Sequence, residues 1–164
     1  MKVRDLMVKN VSTCKPDQNL AEVAAIMWKE RCGSLPVVDE AGNVTSIITD
    51  RDICIALGTR NSTAAQVRVK DVSLPRVFTC GFGDEIRLAL NTMVSQNVRR
   101  LPVIDSNGKI AGILSIDDLL LHSQKRATKS GISEERVVDA AKSILKARRR
   151  DRVHEAAELV ATHA

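Results

Sequence analysis

The chain has 164 residues, 44% of them hydrophobic and 27% charged, with a net charge of +5. That length and balance suit one globular domain or two small halves with a real core. Aromatic residues are limited to one Trp and two Phe, with no Tyr, which excludes the aromatic base-stacking platforms of single-strand nucleic-acid binding and leaves an aliphatic core. Four cysteines, at 14, 32, 54 and 80, form no Cys-x-x-Cys pair, so neither a zinc site nor a thioredoxin-like redox motif is indicated. With no leader-like segment and no apolar run long enough to span a bilayer, the expected setting is cytoplasmic with reduced thiols, away from membranes. The positive charge is uneven: residues 1–123 carry 15 basic and 14 acidic side chains, residues 124–164 carry 10 and 6.

In chain order, a short lead-in over 3–7 precedes an extended piece at 11–13. A helix follows Pro16, with Asp17 as its predicted cap, Leu20, Val23, Ala24 and Met27 on one face, and its end near Gly33. Two strands, 35–38 and 44–48, flank a glycine-containing turn at 39–43, and a second helix starts at Thr49. A linker rich in Thr, Asn, Ser and Ala runs from about 58 to 68. The pattern then returns: lead-in 69–72, extended piece 77–79, a helix capped at Gly83 or Asp84 with Ile86, Leu90, Met93 and Val94 on one face, strands 101–104 and 110–114 around a turn at 105–109, and a helix from Ser115. Both strand pairs are apolar nearly throughout, which predicts burial on both faces.

The recurrence is a repeat. Aligning 3–54 with 69–120 at an offset of 66 gives thirteen identities in 52 positions, including Cys14/Cys80, Pro36/Pro102, Gly42/Gly108 and Asp52/Asp118; composition alone gives roughly three. The expected organisation is residues 1–58, a linker at 59–68, residues 69–123, and a basic helical extension at 124–164. In that extension Ser133 is a predicted N-cap, with Ile132 and Val137 as a hydrophobic staple. Val137, Val138, Ala141, Ile144 and Leu145 form an apolar stripe, and Lys146, Arg148, Arg149 and Arg150 sit at the helix end, where the dipole favours cations. A last helix is predicted over 152–161. A stripe this narrow needs a partner. The module's own surface, an absent partner and the symmetry-related tail of a dimer are the candidates, and the last is favoured.

The order of motifs resembles the CBS domain, and the tandem pair resembles a Bateman module. The resemblance rests on the lead-in Val3-Arg4-Asp5-Leu6-Met7, the Leu-Pro-Val-Val-Asp strand at 35–39 with its copy at 101–105, and Thr49-Asp50-Arg51-Asp52-Ile53; it covers residues 1 to about 122. It implies an α/β fold of tandem CBS domains, two βαββα units about a pseudo-two-fold axis, here with a C-terminal helical tail. It also implies clefts between the repeats that bind adenosine-containing ligands, no catalysis and no catalytic cofactor, and pairing into flat homodimers.

The candidate site is Thr49-x-x-Asp52 with its copy Ser115-x-x-Asp118. A hydroxyl followed three residues later by an acid is close to a capping box, and that structural role alone accounts for the spacing. The same pair can also serve a nucleotide, with a helix N-terminus and a hydroxyl for phosphate and a carboxylate for the ribose hydroxyls. Arg51, Arg99 and Arg100 suit phosphate or are simply solvated. Leu35, Pro36, Leu101 and Pro102 can offer apolar surface to adenine or serve only as core strand-entry residues. Thr13 and Thr79, before the repeated cysteines, complete the candidate nucleotide-binding set; His122 has no evident partner. The reading favoured is a regulatory sensor of an adenine nucleotide (AMP, ADP or ATP), homodimeric, passing its state to an effector protein. The alternatives are a ligand-free interaction module, or nucleic-acid binding through the basic tail at 146–152. No Ser/His/Asp arrangement, metal-spaced His/Cys set or phosphate-cradling glycine loop supports an enzyme.

Overall fold

The structure is a computed structural model that describes residues 1–74, 76–125 and 131–147. The elements are β1 (Val8–Lys9), α1 (Leu20–Lys29), β2 (Ser34–Val38), β3 (Val44–Thr49), α2 (Asp50–Thr59), β4 (Cys80–Gly81), α3 (Ile86–Ser95), β5 (Arg100–Ile104), β6 (Ile110–Ser115) and α4 (Ile116–Leu121), followed by α5, helical over 134–147. Single 3-10 turns occupy Val3–Asp5 and Val69–Asp71. One sheet is the β2–β3 pair, antiparallel, with Leu35 opposite Ile48 and Pro36 opposite Ile47. The other has the order β1-β6-β5-β4. Arg148, Arg149 and Arg150 and the helix predicted over 152–161 lie outside the described residues.

The chain folds into two compact units. One holds 8–79 and 102–112; the other holds Met1–Met7, Cys80–Leu101 and the described residues from Ile113 onward. The first has an aliphatic core of Leu20, Val23 and Met27 from α1, Leu35 and Val37 from β2, Ile48 from β3, Ile53 and Ala56 from α2, with Cys14, Val67 and Val69. Burying each of its large aliphatic side chains contributes about 1.5–3 kcal/mol before entropy is counted. The second unit buries the counterparts Ile86, Ala89, Leu90 and Met93 of α3, Leu101, Leu114 and Leu119, with Val3 and Cys80.

Why the units draw on both repeats is visible in the backbone hydrogen bonds. In the first unit, the lead-in of repeat 2 docks on the start of α1. Val69 N donates to Gln18 O (2.9 Å), Lys70 N to Pro16 O (2.9 Å), and Leu20 N to Val67 O (2.9 Å). In the second unit, the lead-in of repeat 1 docks on the start of α3 through the equivalent atoms: Val3 N donates to Asp84 O (2.9 Å), Arg4 N to Phe82 O (3.2 Å), and Ile86 N to Met1 O (3.2 Å). Every partner is displaced by the same 66 residues, so the two repeats exchange lead-ins reciprocally. Ion pairs reinforce the docks, Lys70–Asp17 at 2.6 Å in one unit and Lys2–Glu85 at 2.6 Å in the other.

Several local expectations are corrected. The cap of α1 is Asn19, which accepts from Glu22 N at 3.0 Å, not Asp17, whose carboxylate is held by Lys70. The residue before α3 is Glu85, without a side-chain cap; Asp84 instead accepts from Gly81 N at 2.7 Å. Helix α1 ends at Lys29 rather than near Gly33, and the left-handed residue after it is Arg31 (φ 51°), matched by Asn97 (φ 54°) after α3. The pieces expected at 11–13 and 77–79 are displaced by a residue or more: Cys14 makes a single parallel bridge to Val37, and β4 begins at Cys80. Strand β2 is buried throughout, but β3 alternates between buried and partly exposed residues, so burial on both faces holds for only one strand of that pair. The hairpin turns form as expected. Gly42 (φ 83°) and Gly108 (φ 77°) take the positive-φ position that a residue with a Cβ resists.

The stripe of α5 is Val137, Ala140 and Ile144, all buried, while Leu145 is 53% exposed. The helix belongs to the second unit, where Arg136 Nη2 donates to Asn91 Oδ1 of α3 at 3.4 Å and Arg87 Nη2 to Gly131 O at 3.5 Å. Ile132 and Val137, the expected staple pair, are both buried, and Ser133 Oγ accepts from Arg136 N at 3.4 Å. The apolar stripe is therefore satisfied on the chain's own surface, and the expectation that a second tail covers it is overturned.

Candidate functional site

Each repeat ends its second hairpin strand at a hydroxyl residue that opens a helix. In the first unit, β3 runs into α2 at Thr49, and Asp50 N donates to Gly33 O at 3.1 Å, fixing the helix start against the entry of β2. In the second unit, Ile116 N donates to Arg99 O at 2.9 Å in the same way. These anchors place Thr49 beside the Gly33–Pro36 entry of β2 and Ser115 beside the Arg99–Arg100 entry of β5.

The motifs themselves are complete capping boxes. Thr49 N and Oγ1 both donate to Asp52 Oδ2, at 2.8 and 2.7 Å, and Asp52 N donates back to Thr49 Oγ1 at 3.2 Å. Ser115 N and Oγ donate to Asp118 Oδ2, at 2.8 and 2.6 Å, and Asp118 N donates back at 3.2 Å. The hydroxyl proton that the sequence offered to a phosphate is thus engaged by the motif's own carboxylate. The second oxygen, Oδ1, of Asp52 and of Asp118 has no partner among the described residues, and both side chains are only partly buried. Each motif therefore presents one uncommitted, fixed acceptor.

The remaining candidates divide by unit. Thr13, Leu35, Pro36, Thr49, Arg51, Asp52, Thr79 and Pro102 lie in the first; Arg99, Arg100, Leu101, Ser115 and Asp118 lie in the second. Leu35, Pro36, Leu101 and Pro102 have buried side chains, and Pro36 O is taken by Cys14 N at 3.0 Å. They serve as core strand-entry residues here and present no apolar surface. Arg51 and Arg99 are exposed and Arg100 is half-buried, with no ion pair among the described residues. Thr13 and Thr79 are half-buried, each one residue ahead of a buried cysteine. Burial pushes the Cys14 thiol up to about 12, and burial with the nearby Asp84 charge pushes Cys80 up to about 12, so both are neutral packing groups. His122 closes α4, its Nδ1 2.8 Å from Asp118 O; a carbonyl only accepts, so Nδ1 carries the proton.

Two features were not foreseen. Lys109 Nζ reaches from one hairpin turn to the other, donating to Ala41 O and, at 2.9 Å, to Asn43 Oδ1. Beside it, hydrogen bonds from the Asn43 side chain and backbone hold the Asp39 carboxyl below its ordinary value. The second feature is a groove of about 800 Å3 in the first unit, lined by Ala24, Met27, Trp28, Arg31, Asp50 and Ile53 among others. The isolated Trp28 outside the apolar face of α1 was the sequence signal for it.

A duplicated βαββα scaffold with a capped helix closing each copy defines a tandem-repeat module class. The chain belongs to the CBS domain family, whose sequence profile matches it twice, over 3–59 and 69–125. It is 31% identical over 118 residues to the uncharacterised protein MK0525 of Methanopyrus kandleri, covering 72% of this chain and 60% of that one. It is also 31% identical over 118 residues to the inosine-5'-monophosphate dehydrogenase of Mycobacterium leprae, covering 72% of this chain but 21% of the dehydrogenase. The chain thus spans less than two-thirds of these relatives. Among solved structures, the CBS domain pair of protein MJ0100, in complex with 5'-methylthioadenosine and S-adenosyl-L-methionine, aligns with a TM-score of 0.65 at 26% identity, covering 73% of this chain and 92% of that one.

Proposed function

We propose that the chain is a regulatory module that binds an adenosine-containing ligand at its capped motifs and signals through a change in conformation or self-association, without catalysis. The observation that carries this reading is the pair of fixed carboxylates. Asp52 and Asp118 each have Oδ2 tied into a cap and Oδ1 uncommitted among the described residues, an arrangement suited to accept ribose hydroxyls. The adenosine ligands of the MJ0100 pair support the same class of ligand; whether the ligand here is AMP, ADP, ATP or a sulfur-containing adenosine is what a screen decides. Arg51, Arg99 and Arg100 are the candidates for a phosphate, because guanidinium stays charged and donates in a fork. A homodimer and an effector protein complete the proposal.

A thermal-shift screen of AMP, ADP, ATP, S-adenosylmethionine and 5'-methylthioadenosine tests it. A ligand at about a hundred times its Kd adds about 2.7 kcal/mol to the folded state, so one or more should raise Tm clearly. If none does, the second reading stands: a ligand-free interaction module, which the internal satisfaction of both capping boxes favours.

A further inference from the structure

We propose that a second pocket of the first unit, between α2 and the 3-10 turn Val69–Asp71, binds the zwitterionic group of an aliphatic α-amino acid. The inference goes beyond the adenosine reading and does not require it. The pocket measures about 190 Å3, with α2 on one side and Asp71 and Val72 on the other. Sites for drug-sized ligands begin at about 300 Å3, so this one suits a single amino acid and not a whole nucleotide. Asp52, Ile55, Ala56 and Thr59 line it at helical spacing and therefore share one face of α2. Ile55 and Ala56, with Val72 opposite, form its apolar wall, and the Thr59 hydroxyl is already engaged, donating to Ile55 O at 2.8 Å. Arg60, the residue that ends α2, and Asp71 supply opposite charges. Arg60 Nη2 donates to Asp71 O at 2.8 Å, and Asp71 Oδ2 accepts from Arg68 N at 3.2 Å. Each charge is thus anchored by a neutral backbone group, and neither makes an ion pair among the described residues. A guanidinium and a carboxylate side by side and unpaired match an α-carboxylate and an α-ammonium. A phosphate would meet Asp52 and Asp71 with only Arg60 to offset them, and an amine without a carboxylate would leave Arg60 unpaired. Such misfits set specificity as much as the accepted contacts do.

The amino acid could arrive free or carried on an adenosine, and calorimetry on the full chain separates the two. The free probes are leucine and methionine, with 4-methylpentanoate and 3-methylbutylamine as leucine analogues that each lack one charge. The carried probes are S-adenosylmethionine and 5'-methylthioadenosine, which differ by the amino-acid group. The expected result is saturable binding of a free amino acid, with each analogue at least tenfold weaker, or binding of S-adenosylmethionine at least tenfold tighter than 5'-methylthioadenosine. Arg60 and Asp71 are exposed, so Arg60→Gln and Asp71→Asn should stay folded by circular dichroism, and each should weaken that binding at least tenfold. No binding of any amino-acid probe, analogues that bind as well as leucine itself, or affinity unmoved in both variants would overturn the pocket. The two proposals fail separately. If S-adenosylmethionine and 5'-methylthioadenosine bind equally and Arg60→Gln changes neither, with no free amino acid bound, the pocket falls and the adenosine reading stands. If leucine or methionine binds and no adenosine compound does, the pocket stands and the adenosine reading falls.

Discussion

Asp118 does two things with two oxygens, and its replacement separates them. Asp118→Ala removes the cap partner of Ser115, which should lower stability by about 0.5–2 kcal/mol. If Oδ1 also accepts a ribose hydroxyl, the same change removes a hydrogen bond to a charged group, about 1.5–3 kcal/mol, and affinity should fall tenfold or more. Calorimetry on the folded variant decides: undiminished affinity leaves Asp118 as a cap only. Cys14 and Cys80 give a pH dependence with a clear sign. Each thiol ordinarily ionises near 9.0 and is raised to about 12 by burial. Between those values the unfolded chain has lost the proton and the native one keeps it, so stability is fully present below about pH 9 and falls as pH rises toward 12. Urea midpoints from pH 8 to 11 should decline, and less steeply in Cys14→Ala. At this scale the sequence was informative where residues repeat, as for the paired cysteines, Gly42 with Gly108, and Thr49 with Ser115. It could not show that Asp52 and Asp118 would absorb the hydroxyl donors of their own motifs, because that depends on side-chain geometry.

Elements were legible to within a residue or two where hydrophobic period and turn chemistry coincide, as in α1, α3 and the two hairpins. They were misjudged at the helix ends. Gly33 looked like the residue to end α1, but the chain turns two residues earlier, at Arg31, and spends Gly33 elsewhere: a Cβ there would come within 2.9 Å of Asp50 Oδ2. Arg31 is held in the left-handed region (φ 51°), which costs a residue with a Cβ about 1–2 kcal/mol, whereas Asn97 at the equivalent turn tolerates it. Arg31→Gly relieves that strain and gives back part of it as unfolded-chain entropy, so it should stabilise by about 0.5–1 kcal/mol. Asn97→Gly should do little. Matched urea titrations check both; a destabilised Arg31→Gly would mean that the side chain contributes more than its backbone costs. The α5 stripe was misassigned because its period was read one position off, with Ala141 and Leu145 in place of Ala140. Its destination was hidden because sequence does not say which surface will receive a stripe.

For the whole molecule, the duplication was plain in thirteen identities, and the resemblance to the CBS domain is borne out by the family match over both repeats. The exchange of lead-ins was not legible. Val3 and Val69 are equivalent, buried and alike in sequence, so nothing in the pattern distinguishes docking on one's own repeat from docking on the other. Only the paired bonds, Val69 to Gln18 and Val3 to Asp84, reveal which occurs. The groove at Trp28 escaped for a related reason: a lone tryptophan off the apolar face reads as surface until the concavity beside it is seen.

That exchange carries a statement about ancestry. In this chain each repeat's lead-in finds its acceptor on the other repeat, Val69 on Gln18 and Val3 on Asp84, so a single repeat docked in this way would have had a lead-in and an acceptor each without its partner. The two needs are complementary between copies. The simplest forebear of this chain is therefore a pair of short identical proteins, each lending its first residues to the other. Gene fusion then converted a concentration-dependent encounter into a tethered one, after which the halves were free to diverge, one keeping Gly33 where the other acquired Arg99.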